Sequence, residues 1–556
     1  MTVKTDIEIA QSIQMRAIAD IANRLHLDEA DWEPYGRYKA KLDLSLLHRP
    51  RQQQGKLVLV TGMSPTPAGE GKSTVTVGLG QALHQLNKNA IVCIREPSLG
   101  PNFGLKGGAA GGGYAQILPM ADLNLHFTGD FHAITTAHNL LSALIDNHLH
   151  QGNALHLDPK RVVWKRVVDL NDRSLRRIIV GLGDNNGVVR ESGFDITVAS
   201  EMMAILCLVE SFSELKEALG AILIGYTYDK QPVTVHDLGA EGALAVLLKD
   251  AIRPNLVQTL EGTPAIVHGG PFGNIAHGCN SLIATKMALN LGEYVVTEAG
   301  FGSDLGAEKF FDIKSRKGGL HPDAAVIVVT VRAMKYHGGV RRSELTQENL
   351  EAIKRGFENV KHHARIVSKF GVPFVIALNR FADDTEAELT FVEQLCDEQG
   401  FMVSRTEVWA QGGLGGVDLA QKVVAQVESG ASNFRPLYPL EAPLVDKIER
   451  VATEVYEAAG VVFSDVARRQ LAECEANGWG NLAVCIAKTP YSFSDDATLR
   501  GQVSGFQITV REVRASLGAG FIVCLTGDIM TMPGLPKIPN ALKIDIDEQG
   551  TITGLF

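Results

Sequence analysis

Short, uninterrupted apolar runs alternate along the chain with longer stretches in which apolar residues recur at helical spacing. The run Lys56–Thr61 is followed by a glycine-rich turn, a helix-like stretch over Ser73–Leu86 and a second apolar run, Ala90–Ile94. Continuous β-branched runs of this length are typical of parallel strands that are buried on both faces. The order strand, loop, helix, strand therefore predicts a βαβ unit.

The same alternation continues through the middle of the chain. Further apolar runs predict buried strands at Ile178–Val180, Ala221–Ile224, Ala265–Val267, Tyr294–Thr297, Ala324–Val331 and Phe374–Leu378. Helical patterns separate most of these runs and cover Glu201–Leu219, Ala243–Asp250 and Glu344–Phe370. This order predicts an α/β fold with one large, mainly parallel sheet that helices cover on both faces.

Two glycine- and proline-rich stretches indicate boundaries between units. Gly412–Gly416 reads GGLGG, and Arg435–Pro443 (RPLYPLEAP) holds three prolines. Beyond them, Leu444–Ala459 is predicted to be helical and Leu482–Ile486 to be a strand. We expect three units over residues 1–365, 366–440 and 441–556, the last two being smaller α/β domains.

Composition and charge then exclude several classes of protein. Among the 556 residues, 45% are hydrophobic and 21% charged, which is the balance of a globular protein. Lys and Arg number 53 against 63 Asp and Glu, a formal net charge of −10. An acidic chain without a long basic block is a poor candidate for binding nucleic acid or a membrane surface, where phosphate neutralisation dominates the affinity.

Apolar runs and cysteine spacing indicate the location and redox state of the protein. No apolar run approaches the ~20 residues that a membrane span needs, and the N-terminal segment lacks the apolar core of a signal peptide. The seven cysteines are scattered singly, with no C-x-x-C pair. We therefore expect a cytoplasmic protein with reduced cysteines.

The strongest chemical signal is Thr61–Thr74, TGMSPTPAGEGKST, between the first predicted strand and its helix. Gly71-Lys72-Ser73 matches the end of G-x-x-x-x-G-K-[ST], whereas Thr66 stands where the first glycine is expected. In a phosphate-binding loop, backbone N–H groups and the helix N-terminus face the phosphates and the lysine reaches the terminal ones. An exposed glycine–proline turn is the alternative interpretation.

We assign Lys72 to the charge of the terminal phosphates and Ser73 Oγ to Mg²⁺. The candidate ATP-binding residues are Thr66, Pro67, Ala68, Gly69, Glu70, Gly71, Lys72 and Ser73.

A second anion site is predicted beside this loop. Arg95 directly follows the strand Ala90–Ile94 and so lies at the carboxyl end of the sheet, where open α/β sheets bind ligands. Its guanidinium can hold a carboxylate or acyl phosphate with two hydrogen bonds, unless it is paired with Glu96. Lys106 and the following GGAAGGG offer backbone amides and close approach, a mobile linker being the alternative.

Three stretches resemble signatures of the formate–tetrahydrofolate ligase family. TPAGEGKST resembles that family's nucleotide loop, in which threonine replaces the first glycine of the standard motif. Gly104–Tyr114 (GLKGGAAGGGY) follows Arg95–Pro101 (REPSLGP) and resembles the second signature. Val328–Gly339 (VVTVRAMKYHGG) resembles the third, with Val329 in place of Ala or Ser and Met334 in place of Leu. The resemblance extends over essentially the whole chain, as far as TMPGLPKIPN.

The resemblance implies a large P-loop NTPase-like domain and ATP-dependent ligation of formate to tetrahydrofolate. The products are 10-formyltetrahydrofolate, ADP and phosphate, and formyl phosphate is the intermediate. Lys72 and Arg95 are then catalytic charge clamps, with Arg95 on formyl phosphate, and Asp130 is a third catalytic candidate. A turn or helix cap after Gly129 is the alternative role for Asp130. The family also implies MgATP, an activating K⁺ or NH₄⁺ ion and a homotetramer.

Aromatic residues at strand ends are candidates for binding the flat pterin of the folate. Phe381 follows the strand Phe374–Leu378, and Trp409 lies in the loop EVWAQGG. The chain has only four tryptophans, so a loop tryptophan is unusual as core filling, although core packing remains an alternative for each ring. The resemblance places Phe381 and Trp409 around the pterin within segment 366–440, with Phe301 nearby. Asn379, at the same strand end, is a candidate for reading the nucleotide base.

Two other functions fit parts of the pattern. A dethiobiotin-synthetase-like ligase would share Gly71-Lys72-Ser73 but would not need GLKGGAAGGGY or the two aromatic residues. A non-enzymatic ATP-switched scaffold or metal carrier is usually far shorter than 556 residues, and a cluster carrier needs paired cysteines.

Overall fold

The computed structural model describes residues 4–50, 55–105, 110–501, 503–527 and 529–555. Its strands are β1 (Trp32–Pro34), β2 (Ala40–Leu42), β3 (Lys56–Gly62), β4 (Ala90–Ile94), β5 (Gly111–Gly112), β6 (Ala115–Leu118), β7 (Leu157–Val162), β8 (Arg166–Val168), β9 (Ile178–Val180), β10 (Arg190–Ser192), β11 (Phe194–Ile196), β12 (Leu223–Thr227), β13 (Pro232–Thr234), β14 (Asn255–Thr259), β15 (Pro264–Val267), β16 (Tyr294–Glu298), β17 (Ala324–Val329), β18 (Phe374–Asn379), β19 (Val403–Thr406), β20 (Gly460–Phe463), β21 (Ala483–Ala487), β22 (Gln507–Val510), β23 (Glu512–Ser516), β24 (Phe521–Leu525), β25 (Asp545–Ile546) and β26 (Ile552–Thr553).

The α-helices lie between most of these strands. They are α1 (Asp6–Gln11), α2 (Ile18–Arg24), α3 (Lys72–Gln85), α4 (Leu99–Phe103), α5 (Met120–Asn124), α6 (Asp130–His150), α7 (Glu201–Leu208), α8 (Phe212–Ala221), α9 (Val235–Leu238), α10 (Glu241–Leu247), α11 (Leu282–Leu291), α12 (Arg316–Gly318), α13 (Val331–His337), α14 (Leu350–Lys369), α15 (Glu386–Glu398), α16 (Val408–Gln411), α17 (Val417–Glu428), α18 (Leu444–Glu454) and α19 (Asp465–Ala476). Two π-helical segments, Ser303–Ala307 and Phe310–Ser315, lead into α12.

One twelve-stranded sheet organises most of the chain. Its strands run in the order β1-β2-β14-β15-β4-β16-β3-β17-β18-β19, with β6 paired to β14 and β5 to β6. Every neighbouring pair from β15 to β19 is parallel. The strands at the other side pair antiparallel. The carboxyl ends of the parallel strands therefore meet along one edge of the sheet.

Helices cover both faces because side chains of the inner strands alternate between two apolar layers. In β3, Leu57 and Leu59 belong to one buried cluster, and Val58 and Val60 belong to another. Helices α11 and α14 pack on the first layer, and α3 and α17 pack on the second. The predicted α/β fold with a large, mainly parallel sheet is thereby confirmed.

Two of the predicted strands lie outside this sheet. Ile178–Val180 pairs with β10 in a separate hairpin, and Leu223–Thr227 joins a small sheet with β7 and β13. The prediction that both runs belong to the large sheet is wrong. The physical reason is plain for the hairpin, because Ile179 is 60% exposed and so lacks the two-sided burial of a central strand.

The later parts of the chain differ in how they relate to the large sheet. Strands β18 and β19 continue its parallel edge beyond residue 366. Beyond residue 440 the chain forms sheets of its own, a β20–β22 pair and the three strands β21-β24-β23. The division into units at 365 and 440 stays a prediction.

The cysteines lie in the interior of the protein. All seven are buried with free thiols, and desolvation raises the pKa of the Cys93 thiol to about 12.

Within the described ranges, no helix is both long and apolar enough to cross a membrane. The same ranges hold no group of three His, Cys, Asp or Glu side chains placed to bind a metal.

Candidate active site

The glycine loop joins β3 to α3, as the sequence predicts. Gly69 and Gly71 both have positive φ, +80° and +70°, a backbone region that glycine enters without strain. A Cβ at Gly71 would lie 2.5 Å from Asn379 Nδ2, so the loop also needs glycine for close packing. That amide nitrogen donates to the carbonyl of Glu70 at 3.0 Å, and Asn379 Oδ1 accepts from Thr406 Oγ1 at 3.4 Å. The side chain of Asn379 therefore holds the loop.

Glu70 fixes the shape of the loop from within. Its Oε1 accepts a hydrogen bond from the backbone N–H of Thr66 at 2.7 Å, and its Oε2 accepts one from Thr330 Oγ1. Thr66 Oγ1 in turn accepts from the N–H of Ala68 at 3.3 Å. Thr66, at the position of the first glycine in the standard motif, is thus built into the hydrogen bonding of the loop.

Lys72 and Ser73 begin helix α3 and point toward the end of β16. Lys72 Nζ donates to the backbone carbonyl of Phe301 at 3.0 Å. Ser73 Oγ donates to Glu298 Oε2 at 2.8 Å. Glu298 is the last residue of β16 and only 1% exposed. Sequence reasoning missed this carboxylate, although an acidic residue ending an apolar strand was the available signal.

Arg95 contacts the same carboxylate, Glu298, that accepts a hydrogen bond from Ser73. Arg95 NH2 lies 3.7 Å from Glu298 Oε1, and NH1 donates to the carbonyl of Pro271 at 3.3 Å. The expected alternative, an ion pair between Arg95 and Glu96, is therefore replaced by one with Glu298. Buried Arg95 Nε and Glu298 Oε1 have no hydrogen-bond partner among the described residues. Unpartnered polar atoms of this kind are uncommon in a protein interior, which marks the pair as a candidate part of the site.

A buried histidine lies in the loop that follows β15, the loop in which the Pro271 carbonyl accepts a hydrogen bond from Arg95. His277 is fully buried, and neither ring nitrogen has a hydrogen-bond partner in the described part of the chain. Burial, reinforced by the charges of Lys314, Arg95 and Lys309, lowers the pKa of His277 to about 3. The imidazole is therefore neutral, and a neutral ring can donate one N–H to a ligand. His277 was not among the residues predicted from the sequence.

Asp130 lies several strands from the glycine loop. It starts helix α6 after Gly129, is 2% exposed, and forms an ion pair with Lys41 of β2 at 2.6 Å. Asn255 of β14 donates to its other oxygen at 2.8 Å. Desolvation, and then the charge of Asp130, raise the pKa of buried Glu96 well above its usual value. In the described part of the chain, the partners of Asp130 are thus Lys41 and Asn255, on strands β2 and β14 at the other side of the sheet.

Phe381 lies beside the glycine loop, at the carboxyl end of β18. Its ring atom Cζ is 3.9 Å from the position of a Cβ at Gly71. Its backbone N–H donates to Asp384 Oδ2 at 2.7 Å, which fixes the turn after the strand. Phe301, the third aromatic candidate, follows β16 with a φ of +63°. The carbonyl of Phe301 accepts the hydrogen bond from Lys72, so Phe301 also lies beside the glycine loop.

Trp409 follows the neighbouring strand β19 but lies in the short helix α16 rather than in the predicted loop, and it packs on Gly112 and Gly113. A Cβ at Gly113 would lie 2.7 Å from Trp409 Cγ, and one at Gly112 would lie 3.5 Å from Nε1. Asp6 accepts from the N–H of Gly113 at 2.8 Å. The tryptophan keeps 38% of its surface exposed. Glycines therefore give one side of Trp409 a flat support, while Lys106 and residues 107–109 lie outside the described residues.

The glycine loop, Arg95, Glu298, Phe381 and Trp409 follow neighbouring parallel strands, because β4, β16, β3, β17, β18 and β19 are consecutive in the sheet. Open α/β sheets bind ligands at the carboxyl ends of their strands, so the molecule is an α/β protein whose carboxyl edge is the candidate ligand site.

The family follows from a comparison with models of known protein families, which matches residues 4–556 to formate–tetrahydrofolate ligase. The chain belongs to the formate–tetrahydrofolate ligase family and is an ATP-dependent ligase. The family resemblance of the three sequence stretches is thereby confirmed.

Proposed function

We propose that the protein ligates formate to N10 of tetrahydrofolate through formyl phosphate, with both half-reactions at the carboxyl edge of the large sheet. The observation that carries this proposal is that Glu298 contacts both Ser73 and Arg95. One carboxylate accepts from Ser73, at the start of the phosphate-binding helix, and pairs with Arg95, at the predicted anion site. The terminal phosphate of ATP and a carboxylate held by Arg95 would therefore be neighbours.

The residues present suit a magnesium ion. Mg²⁺ prefers oxygen ligands and is usually held by one or two protein groups together with substrate phosphates. Ser73 Oγ and the carboxylate of Glu298 are 2.8 Å apart at the helix N-terminus, and Glu298 Oε1 lacks a hydrogen-bond partner among the described residues. We assign Mg²⁺ to Ser73 and Glu298, where it would offset the charge of the transferred phosphoryl group.

Arg95 and His277 form the proposed formate subsite. The guanidinium offers two parallel donors to a carboxylate, and the neutral imidazole, whose two nitrogens have no partner among the described residues, offers one N–H. Both carboxylate oxygens of Asp130 are bound in the interior, one by Lys41 and the other by Asn255, so we assign it a positioning role.

The bond changes follow from this placement. An oxygen of formate attacks the γ-phosphorus of ATP, and ADP leaves with the bridging oxygen. N10 of tetrahydrofolate then attacks the formyl carbon, loses its proton, and phosphate leaves carrying one former formate oxygen. Lys72 and Arg95 neutralise the phosphoryl group throughout both steps.

Phe381 and Trp409 form the proposed pterin site. They follow adjacent strands, since Asn379 of β18 pairs with Thr406 of β19. Strands in such a pair lie about 4.8 Å apart, so the two aromatic residues start from neighbouring positions on one edge. Phe301 lies on the loop side of the same edge.

Other expectations rest on the family resemblance. We propose a homotetramer in the cytoplasm, activation by K⁺ or NH₄⁺, and separate roles for residues 1–365 in ATP binding, 366–440 in folate binding and 441–556 as a C-terminal domain.

The reaction is tested with MgATP, tetrahydrofolate and ¹⁸O-labelled formate in reducing buffer with potassium. After acidification we expect the near-ultraviolet absorbance of methenyltetrahydrofolate, and one ADP for each product molecule. Label should appear in inorganic phosphate, because the phosphate keeps a formate oxygen. Reactions that lack formate or folate are the controls. Absence of product would refute the ligase, whereas product with unlabelled phosphate would refute formyl phosphate alone.

Trp409→Ala tests the pterin site. We expect the folate KM to rise from several-fold to some tens-fold, because stacking is worth about 0.5–1.5 kcal/mol beyond burial. The KM values for ATP and formate should change little, and quenching of tryptophan fluorescence by folate should largely disappear. Trp479→Phe, which removes a tryptophan elsewhere in the chain, should keep both the KM and the quenching. A stable Trp409→Ala protein with an unchanged folate KM would contradict the assignment.

A further inference from the structure

Arg332 lies between the glycine loop and the proposed pterin site. It belongs to the first turn of α13, directly after β17, and β17 pairs with β3 on one side and β18 on the other. Thr330, the N-cap of α13, accepts from the N–H of Ala333 at 3.1 Å. This cap fixes the direction in which the helix starts.

On one side Arg332 holds the glycine loop. Its NH2 group donates to the carbonyl of Gly69, and its Nε lies 3.5 Å from Glu70 Oε2. The same carboxylate oxygen accepts from Thr330 Oγ1, and its partner oxygen binds the N–H of Thr66. The first turn of α13 is therefore joined to the beginning and the end of the loop.

On the other side Arg332 covers the ring of Phe381. Its Cζ lies 3.9 Å from the ring centroid, well within the range of a cation–π contact. The side chain is only 25% exposed, so both of its contacts are partly shielded from water. One planar guanidinium thus contacts the backbone that surrounds the phosphates and an aromatic ring assigned to the pterin.

We propose that Arg332 is a positioning residue that couples the nucleotide and folate sites. Nucleotide in the loop fixes Gly69 and Glu70, which fixes the guanidinium and with it one face of Phe381, leaving the other face for the pterin. Each substrate then binds more tightly when the other is present. The inference rests on the proposed function and adds to it a mutual dependence of nucleotide and folate binding.

The coupling is measured by titrating tetrahydrofolate anaerobically, without formate, in the absence and presence of the non-hydrolysable ATP analogue AMP-PNP with Mg²⁺. In the wild type we expect the folate Kd to fall at least about fivefold when nucleotide is bound. Folate must improve nucleotide binding by the same factor, because coupling is reciprocal. In Arg332→Gln both ratios should approach one.

Three further variants make the measurement specific. Arg332→Lys keeps the charge but loses the planar fork, so it should retain part of the coupling. It also tests the proposal if the glutamine variant does not fold. Arg380→Gln is the matched control, since Arg380 follows the same strand as Phe381 but pairs with Glu407 at the surface. It should keep the wild-type ratio. Phe381→Leu should lose the coupling, and its combination with Arg332→Gln should lose no more.

A wild-type ratio near one, or a wild-type ratio preserved in Arg332→Gln, would overturn the proposal. Either result is compatible with continued product formation, so it would leave the ligase intact. Absence of folate binding and of turnover in the wild type would instead refute the proposed function, and the coupling with it.

Discussion

Replacing Lys72 with alanine should lower kcat by about 10²–10³, the usual cost of losing one charge-stabilising group at a reacting centre. Lys72 starts helix α3, and its ammonium reaches across to the carbonyl of Phe301 at 3.0 Å, over the mouth of the loop. The charge acts only at the phosphate end of the site, so folate binding should be preserved. Stopped assays of product formation and folate titration measure the two effects.

Lys56→Ala is the matched control for this variant. Lys56 starts strand β3, at the end opposite the loop, and forms an ion pair with Asp323 at 3.3 Å on the surface. Exposed pairs are worth about 0–1 kcal/mol, so kcat should remain close to that of the wild type. If Lys72→Ala turned over within about fivefold of wild type, against the expected loss, the loop would not hold the reacting phosphate.

Arg95→Ser should lower turnover far more than it weakens ATP binding. The guanidinium is proposed to hold the carboxylate that becomes formyl phosphate, and the loop after β3 is proposed to hold the nucleotide. The change also leaves Glu298, whose side chain is fully buried, without its cation. Breaking such a pair typically costs about 3–5 kcal/mol, so the melting temperature should fall as well.

Arg95→Lys separates the two effects. It keeps a charge for Glu298, so stability and ATP binding should recover, but it lacks the two parallel donors that suit a carboxylate. The formate KM should therefore remain high. Nucleotide titration without formate gives the ATP affinity. If that affinity fell as steeply as turnover in Arg95→Ser, Arg95 would belong to the nucleotide site and formate would bind elsewhere.

The parts of the site that were predictable from sequence are those set by neighbouring residues. The unit from β3 to β4 was predictable because two apolar strands, a glycine loop and a helix follow each other without interruption. The position of Arg95 follows directly, since a residue after a parallel strand lies at the carboxyl edge. Local pattern alone fixes both.

Contacts between residues that are distant in sequence were not predictable in this way. Glu298 and Ser73 meet only because β16 pairs with β3, and no local signal gives that pairing. The same holds for Arg332, which contacts Phe381 because α13 and the turn after β18 follow neighbouring strands. Pairing between remote strands, rather than residue type, was the missing information.

Boundaries failed where a short polar stretch interrupts an apolar pattern. The predicted helix over Glu201–Leu219 is two helices, because Ser211 accepts a hydrogen bond from the N–H of Glu214 and starts a new one. Capping by serine gives the chain a local alternative to continuing the first helix. A hydrophobic period carries no information about such a break.

The pairing of β3 also bears on how the protein is synthesised. Lys56–Val60 hydrogen-bonds to Tyr294–Glu298, and Val58–Gly62 hydrogen-bonds to Ala324–Val328. Translation proceeds at about 5–20 residues per second, so strand β3 leaves the ribosome on the order of 10–50 s before its second neighbour. During that interval an apolar strand with free backbone groups on both sides is exposed to other nascent chains and to chaperones. The glycine loop after β3 therefore acquires its shape late in synthesis, although it is encoded near the beginning of the chain.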